Sequence, residues 1–205
     1  MSIKAVIFDL GNVIFKFDLS KFIKAFAEKT PDAGYKDINR IILEYSDLAA
    51  AYELGNISTR DFYKALAIET HYAGSYDEFC FIWNDIFAPP EDEMIKLLKD
   101  VSSKYELGLL SNTNEQHYNF VKTKYPEIFA LFNKTYLSYE MRMRKPDDEI
   151  FREVIKRCAL KPSEIFFTDD LIQNAAAAEK NGITARLFTD VSALKVALME
   201  AGVKI

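Results

Sequence analysis

Cysteine is scarce in this sequence: Cys80 and Cys158 are the only two in 205 residues, far apart and in no metal-like spacing. They read as two reduced, buried thiols rather than as a metal-ligand pair. Long apolar runs are missing too. No stretch approaches the ~20 consecutive apolar residues that a membrane-spanning helix needs. Nor does the N-terminus carry the charged region, apolar core and small-residue cleavage site of a secretory signal. The expectation is a cytoplasmic protein with no membrane partner. An excess of positive charge is likewise absent, since the formal net charge is −5 and the pI about 5.2. That argues against nucleic-acid and membrane-surface partners, and any anion must be bound by a local site. Repeats and low-complexity segments are not found, and oligomeric state has no signature in the sequence.

What the chain does have is apolar side chain. Hydrophobic residues make up 49%, including 16 Phe and 11 Tyr, enough for a sizeable core and too much for disorder over most of the length. The length suits one medium domain or a core with a smaller insert. Lys4 to Leu10 is a short apolar run cut off by Gly11-Asn12, as in a buried strand followed by a turn. Similar runs lie at 107–110, 164–167 and 184–188, with helical patterns between them. One helix opens at Asp147 and runs through Ile150, Phe151, Val154 and Ile155; another covers 171–180 and stops at Asn181-Gly182. Alternating strand and helix predicts an α/β fold, a Rossmann-like doubly wound parallel sheet with helices on both faces.

Residues 16–90 read differently. Phe22, Ile23 and Phe26, then Ile38, Ile41, Ile42 and Tyr45, then Phe62 and Leu66 recur at helical spacing with no convincing strand. Gly55-Asn56 breaks the pattern, and Ser58-Thr59-Arg60-Asp61 has the form of a capping box. Ala88-Pro89-Pro90 then looks like a hinge. This predicts a core of 1–15 and 91–205 with a helical cap domain, 16–90, inserted after the first strand.

In open α/β sheets, ligands bind beyond the carboxyl ends of the strands. The first strand ends in Asp9, the second in Ser111-Asn112-Thr113-Asn114, and a later one in Asp169-Asp170; Arg144-Lys145-Pro146-Asp147 sits at the mouth of a helix. Each fragment alone is an ordinary turn or cap. In this order, at strand ends, they bring a nucleophile, a hydroxyl, a lysine and an acidic pair to one crevice.

These motifs resemble those of the haloacid dehalogenase-like hydrolase superfamily, in the subgroup with a helical cap inserted after the first motif. The match runs through Phe8-Asp9-Leu10-Gly11-Asn12-Val13, Leu110-Ser111-Asn112-Thr113, Arg144-Lys145-Pro146-Asp147 and Asp169-Asp170 with Asn174 following. The Gly-Asn pair after the nucleophile looks like that of bacterial sugar-phosphate phosphatases acting on α-D-glucose 1-phosphate. The resemblance implies that Asp9 attacks phosphorus and forms an aspartyl-phosphate. It implies Mg²⁺ held by Asp9, the Gly11 carbonyl and Asp170, with Asp169 as ligand or outer partner, since this ion prefers hard oxygen donors. Ser111 and the Asn112 backbone would bind the phosphoryl oxygens, and Lys145 would neutralise charge on phosphate and Asp9. Positioning and charge stabilisation are most of what phosphoryl transfer needs. The partner is then a small phosphorylated metabolite.

The sequence departs from the pattern at one point. Most phosphatases of the superfamily carry a second Asp two positions after the nucleophile, for general acid–base work; here it is Gly11. Losing such help typically lowers rates by ~10²–10⁴. A better leaving group such as an anomeric oxygen, a slow or silent enzyme, or a substitute residue would each account for it. Asp18, Glu53 and His117 are the candidate substitutes. Their ordinary alternatives are an N-cap, a surface carboxylate and a solvated helix residue; His71 has no functional context. Arg142 adds charge at the rim or points to solvent, and Trp83 reads as cap core ahead of substrate platform. Two other functions compete with a phosphatase. A metal-independent 2-haloacid dehalogenase also lacks the second Asp, but the Asp169-Asp170 pair would burden it without a cation. A non-catalytic phospho-ligand-binding relative would keep the same site.

Overall fold

A computed structural model describes residues 2–30 and 46–205; Ile38, Ile41, Ile42 and Tyr45 lie outside them. Among the described residues one parallel sheet is built from β1 (Ala5–Phe8), β2 (Glu106–Ser111), β3 (Lys134–Leu137), β4 (Ile165–Asp169) and β5 (Thr184–Leu187), in the order β3-β2-β1-β4-β5. The chain winds outward from β1 to one edge, then returns to build the other, so β1 stands at the topological switch point. Strands β1, β2 and β4 show almost no exposed residue, as expected of central parallel strands buried on both faces.

Alternation along each strand sorts the two cores. Val6, Phe8, Leu107, Leu109 and Phe166 face one side, packed under α5 (Asp92–Ser102), α6 (Glu115–Lys124), α7 (Pro126–Phe129) and α11 (Val191–Glu200). Ile7, Leu110, Ile165, Phe167 and Ala185 face the other, under α9 (Asp148–Cys158) and α10 (Ile172–Lys180). The doubly wound expectation is met. One strand was not foreseen: Lys-Thr-Tyr-Leu of β3 has no continuous apolar run, because an edge strand is half-wet and only Tyr136 and Leu137 are buried. A short helix, α8 (Ser138–Met141), follows it directly.

The helical insert contains α1 (Leu19–Ala27), α2 (Ser46–Glu53), α3 (Thr59–Thr70) and α4 (Tyr76–Asn84). The expected capping box is present: Ser58 accepts from the Asp61 amide and Asp61 from the Ser58 amide. Ser75 and Glu78 repeat the device at α4. The insert has its own aromatic core of Phe22, Phe26, Phe62, Tyr72, Phe79 and Trp83. Two backbone bonds bind its exits side by side, Asp18 N–H to Ile86 O at 2.9 Å and Ala88 N–H to Lys16 O at 2.8 Å. Among the described residues no helix is long and apolar enough to cross a membrane.

Phe79 is fully buried, with the rings of Phe22, Phe26, Phe62, Tyr63, Tyr72 and Trp83 all within 6.4 Å of its own. Phe79→Ala is expected to lower unfolding free energy by about 3–5 kcal/mol. Urea unfolding followed by Trp83 fluorescence checks it; a loss under about 1 kcal/mol would mean that the insert collapses to fill the hole.

Candidate active site

Register brings the acidic residues together. Phe8 pairs with Thr168 of β4 and Leu109 of β2, so Asp9 and Asp169 leave adjacent strands side by side. The Asp9 amide closes the ladder on Thr168 O at 3.0 Å. Lys145 reaches in from the loop before α9 and is 2% exposed. Its Nζ lies 2.7 Å from Asp9 Oδ1 and 2.6 Å from Asp169 Oδ2, and it donates to Leu110 O at 3.0 Å. Three acceptors from three strand ends thus use all three protons of one ammonium. Asn112 fixes the backbone behind it: Lys145 N–H donates to Asn112 Oδ1 and Asn112 Nδ2 to Lys145 O, both at 2.9 Å.

The second oxygen of Asp169 is equally occupied, accepting from Leu171 N–H and Asn174 Nδ2 at 2.9 Å each. Asp170 is half-buried and accepts from Asn12 Nδ2 at 3.0 Å. Asn12 holds φ 54°, a left-handed conformation that Asn tolerates better than most residues. Oxygens of Asp9, Asp169 and Asp170 lie within 4.8 Å of one another. Three carboxylates facing one lysine leave a net negative centre of hard oxygen donors, which fits a small divalent cation. Asp9 and Asp170 have the freer oxygens, whereas both oxygens of Asp169 already accept hydrogen bonds. The electrostatics agree: burial first, then Asp169, push the Asp9 carboxyl up to about 6 against the pull of Lys145. Burial pulls Lys145 down, but Asp9 and Asp169 outweigh it and hold the ammonium above its ordinary value.

Ser111, 2% exposed, makes among the described residues a 3.5 Å contact with Asn112 O, and it lines the cavity described next. A cavity of about 190 Å³ opens beside it between sheet and insert, lined in part by Gly11, Phe17, Glu53, Trp83, Ser111 and His117.

Comparison with known proteins matches a family model described as haloacid dehalogenase-like hydrolase over residues 3–182. The chain belongs to the haloacid dehalogenase-like hydrolases. It is 28% identical over 189 residues to a D-ribitol-5-phosphate phosphatase of Bacteroides thetaiotaomicron, covering 88% of this chain and 89% of that protein. To a sesquiterpene phosphatase of Aspergillus oryzae it is 26% identical over 188 residues, covering 91% and 90%. A solved haloacid dehalogenase family enzyme of Bacteroides thetaiotaomicron, in complex with magnesium and inorganic phosphate, superposes with a TM-score of 0.84. It is 30% identical and covers 94% of this chain and 99% of that one.

In this haloacid dehalogenase-like hydrolase the three candidate substitutes for the missing acid part company. Asp18 is exposed and caps α1, its Oδ1 accepting from Ser20 N–H at 2.9 Å, so the site-facing role is not met. His117 is buried and lines the cavity, contrary to a solvated residue, yet both ring nitrogens are engaged. Nε2–H donates to Trp83 O at 2.8 Å and Nδ1 accepts from Asn114 Nδ2 at 3.1 Å. Burial pushes it down to about 4, so it is a neutral clasp between core and insert, not an acid. Glu53 lines the cavity half-buried, 3.3 Å from Arg144. Trp83 serves as insert core and cavity wall at once. Arg142 is exposed at the left-handed end of α8. Both cysteines are free, but Cys80 is only half-buried, because α4 turns that side toward the surface. The side-chain roles of Asn12, Asn112 and Arg144 were not read from sequence, although all three fall inside the quoted motifs. Ser138 carried no signal at all.

His117 has a direct consequence for acid stability. Unfolding returns it to its ordinary 6.5, so its contribution is complete above that pH and is lost as pH falls toward 4. The loss amounts to about 3 kcal/mol. Urea midpoints at about pH 7 and about pH 4.5 are expected to fall further for the wild type than for His117→Gln; equal falls would remove the buried neutral histidine from the account.

Proposed function

We propose that this chain is a Mg²⁺-dependent phosphatase that hydrolyses a small phosphorylated metabolite, a sugar phosphate, through an aspartyl-phosphate on Asp9, with residues 16–90 acting as its cap. The observation that carries the reading is the buried Lys145, clamped between Asp9 and Asp169 beside the half-buried Asp170. This clamp aims Asp9 and holds compensating charge where a phosphate dianion must enter. Asp9, the Gly11 carbonyl and Asp170 would hold Mg²⁺, with Asp169 behind them, and the bound ion supplies charge neutralisation for phosphate and carboxylates. Ser111 Oγ and the Asn112 backbone orient the phosphoryl oxygens. Asp9 attacks phosphorus as the leaving oxygen departs, and water then cleaves the acyl-phosphate. The relatives' names and the magnesium–phosphate complex of the Bacteroides enzyme support the phosphatase over a metal-independent dehalogenase, and so does the acidic triad. The choice of a sugar phosphate rests on the Gly11-Asn12 motif and on the ribitol phosphate relative.

The test is p-nitrophenyl phosphate turnover with Mg²⁺, after chelation, and with Asp9→Asn. Chelation is expected to abolish turnover, and Asp9→Asn to lower it at least about a thousandfold. Full activity in either arm would sink the mechanism. A panel of sugar phosphates, anomeric ones included, then ranks substrates; no turnover of any would remove the sugar assignment while leaving the phosphatase.

A further inference from the structure

Position 11 carries no carboxylate, and the Phe17 ring stands beside it: a Cβ on Gly11 would lie 2.8 Å from Cε1 of that exposed side chain. A proton donor, if the site uses one, comes from elsewhere on the cavity wall. We propose that Glu53, at the end of α2 in the helical insert, is the general acid and base of this active site, protonating the leaving oxygen and then activating the attacking water. The proposal rests on the phosphatase reading above.

Two contacts of Glu53 tie it to the core near the phosphate and lysine motifs. Its carbonyl accepts from Ser138 Oγ at 2.6 Å, and that hydroxyl oxygen in turn accepts from Thr113 N–H at 2.9 Å, two residues past Ser111. Its Oε2 lies 3.3 Å from Arg144 Nη2, the neighbour of Lys145. Gly55, at φ +68°, lies so close to Tyr139 O that a Cβ there would stand 2.2 Å from it, so the turn after α2 is flush against the core. Main chain and side chain of Glu53 are thus both held against the core, and the residue lines the cavity.

Elimination leads to the same residue. His117 lines the cavity with both nitrogens occupied, and the Tyr52 hydroxyl is taken by Thr59 Oγ1 at 2.7 Å. Glu53 is the remaining ionisable side chain on that wall among the described residues. Burial raises its carboxyl above the ordinary range, with Arg144 and Lys145 opposing, which suits a group that must both hold and release a proton. In the first step the bond from Asp9 to phosphorus forms and the ester P–O bond breaks. The Glu53 proton passes to the leaving oxygen, so the alcohol departs neutral and Glu53 is left anionic. In the second, Glu53 takes a proton from water as its oxygen bonds to phosphorus. The acyl-phosphate P–O bond then breaks, restoring Asp9 and protonated Glu53.

Rapid mixing of p-nitrophenyl phosphate with Glu53→Gln in Mg²⁺ tests this. Nitrophenolate leaves without a proton, so Asp9 is still phosphorylated while the second step lacks its base. A burst of nitrophenolate stoichiometric with enzyme is expected, followed by steady turnover about 100-fold below wild type; acid-quenched protein should carry the acyl-phosphate. A steady rate near wild type, or a fall with no burst, would overturn the assignment, the latter marking Glu53 as a docking residue. A wild-type enzyme inactive on this ester would instead overturn the phosphatase reading, and this assignment with it.

Discussion

A lysine ammonium out of reach of water is tolerable only with compensating charge and every proton placed. Lys145 meets both conditions, and its demands organise the molecule. Asp9 and Asp169 must emerge from neighbouring strands in register, Leu110 must offer its carbonyl from a third, and Asn112 must hold the lysine backbone. The result is a compensating positive charge beside a carboxylate that burial pushes toward its protonated form. Because the lysine balances only part of the negative charge, the same cluster also has an oxygen-rich side suited to a cation. The fixed orientation of Asp9 and the oxygen-rich cluster are two consequences of one buried charge.

The insert obeys a different balance. Its core is an aromatic cluster of its own, while its links to the sheet domain among the described residues mix polar and aromatic contacts: Ser138 to Glu53, Arg144 to Glu53, and His117, which bonds Trp83 O and stacks on its ring. Each such bond contributes about 1 kcal/mol net, whereas opening either core would forfeit several times that. Glu53, Trp83 and His117 on this interface also face the cavity. The Phe17 ring that stands beside Gly11 lies at the neck joining the two parts.

Much of this was legible in the sequence because parallel strands and amphipathic helices advertise themselves by period. The runs ending at Asp9, Ser111 and Asp169 were readable since central strands are buried on both faces, and the Ser58–Asp61 box since capping needs those residue types at that spacing. Strand Lys134–Leu137 was not, because an edge strand mixes polar and apolar residues as a loop does. Asp18, His117 and Glu53 were indistinguishable as isolated letters. One proved a cap, one a neutral clasp and one a cavity carboxylate, and the difference lies wholly in what surrounds them.

The sequence alone determined the chemical inventory at the strand ends: Asp9, Ser111, Lys145, Asp169 and Asp170, in an order that only a doubly wound sheet brings to one place. It also determined that a second carboxylate near the nucleophile is missing. Tertiary structure decided how that inventory is charged and what stands in the gap. Protonation depends on burial and on neighbours distant in sequence, such as Lys145 acting on Asp9. The same holds for Glu53, whose approach to the crevice is set by Ser138, Arg144 and the close fit of Gly55 on Tyr139. Local sequence encodes periodicity and spacing; electrostatic fields and steric exclusion act through space, and so they existed only once the chain had folded.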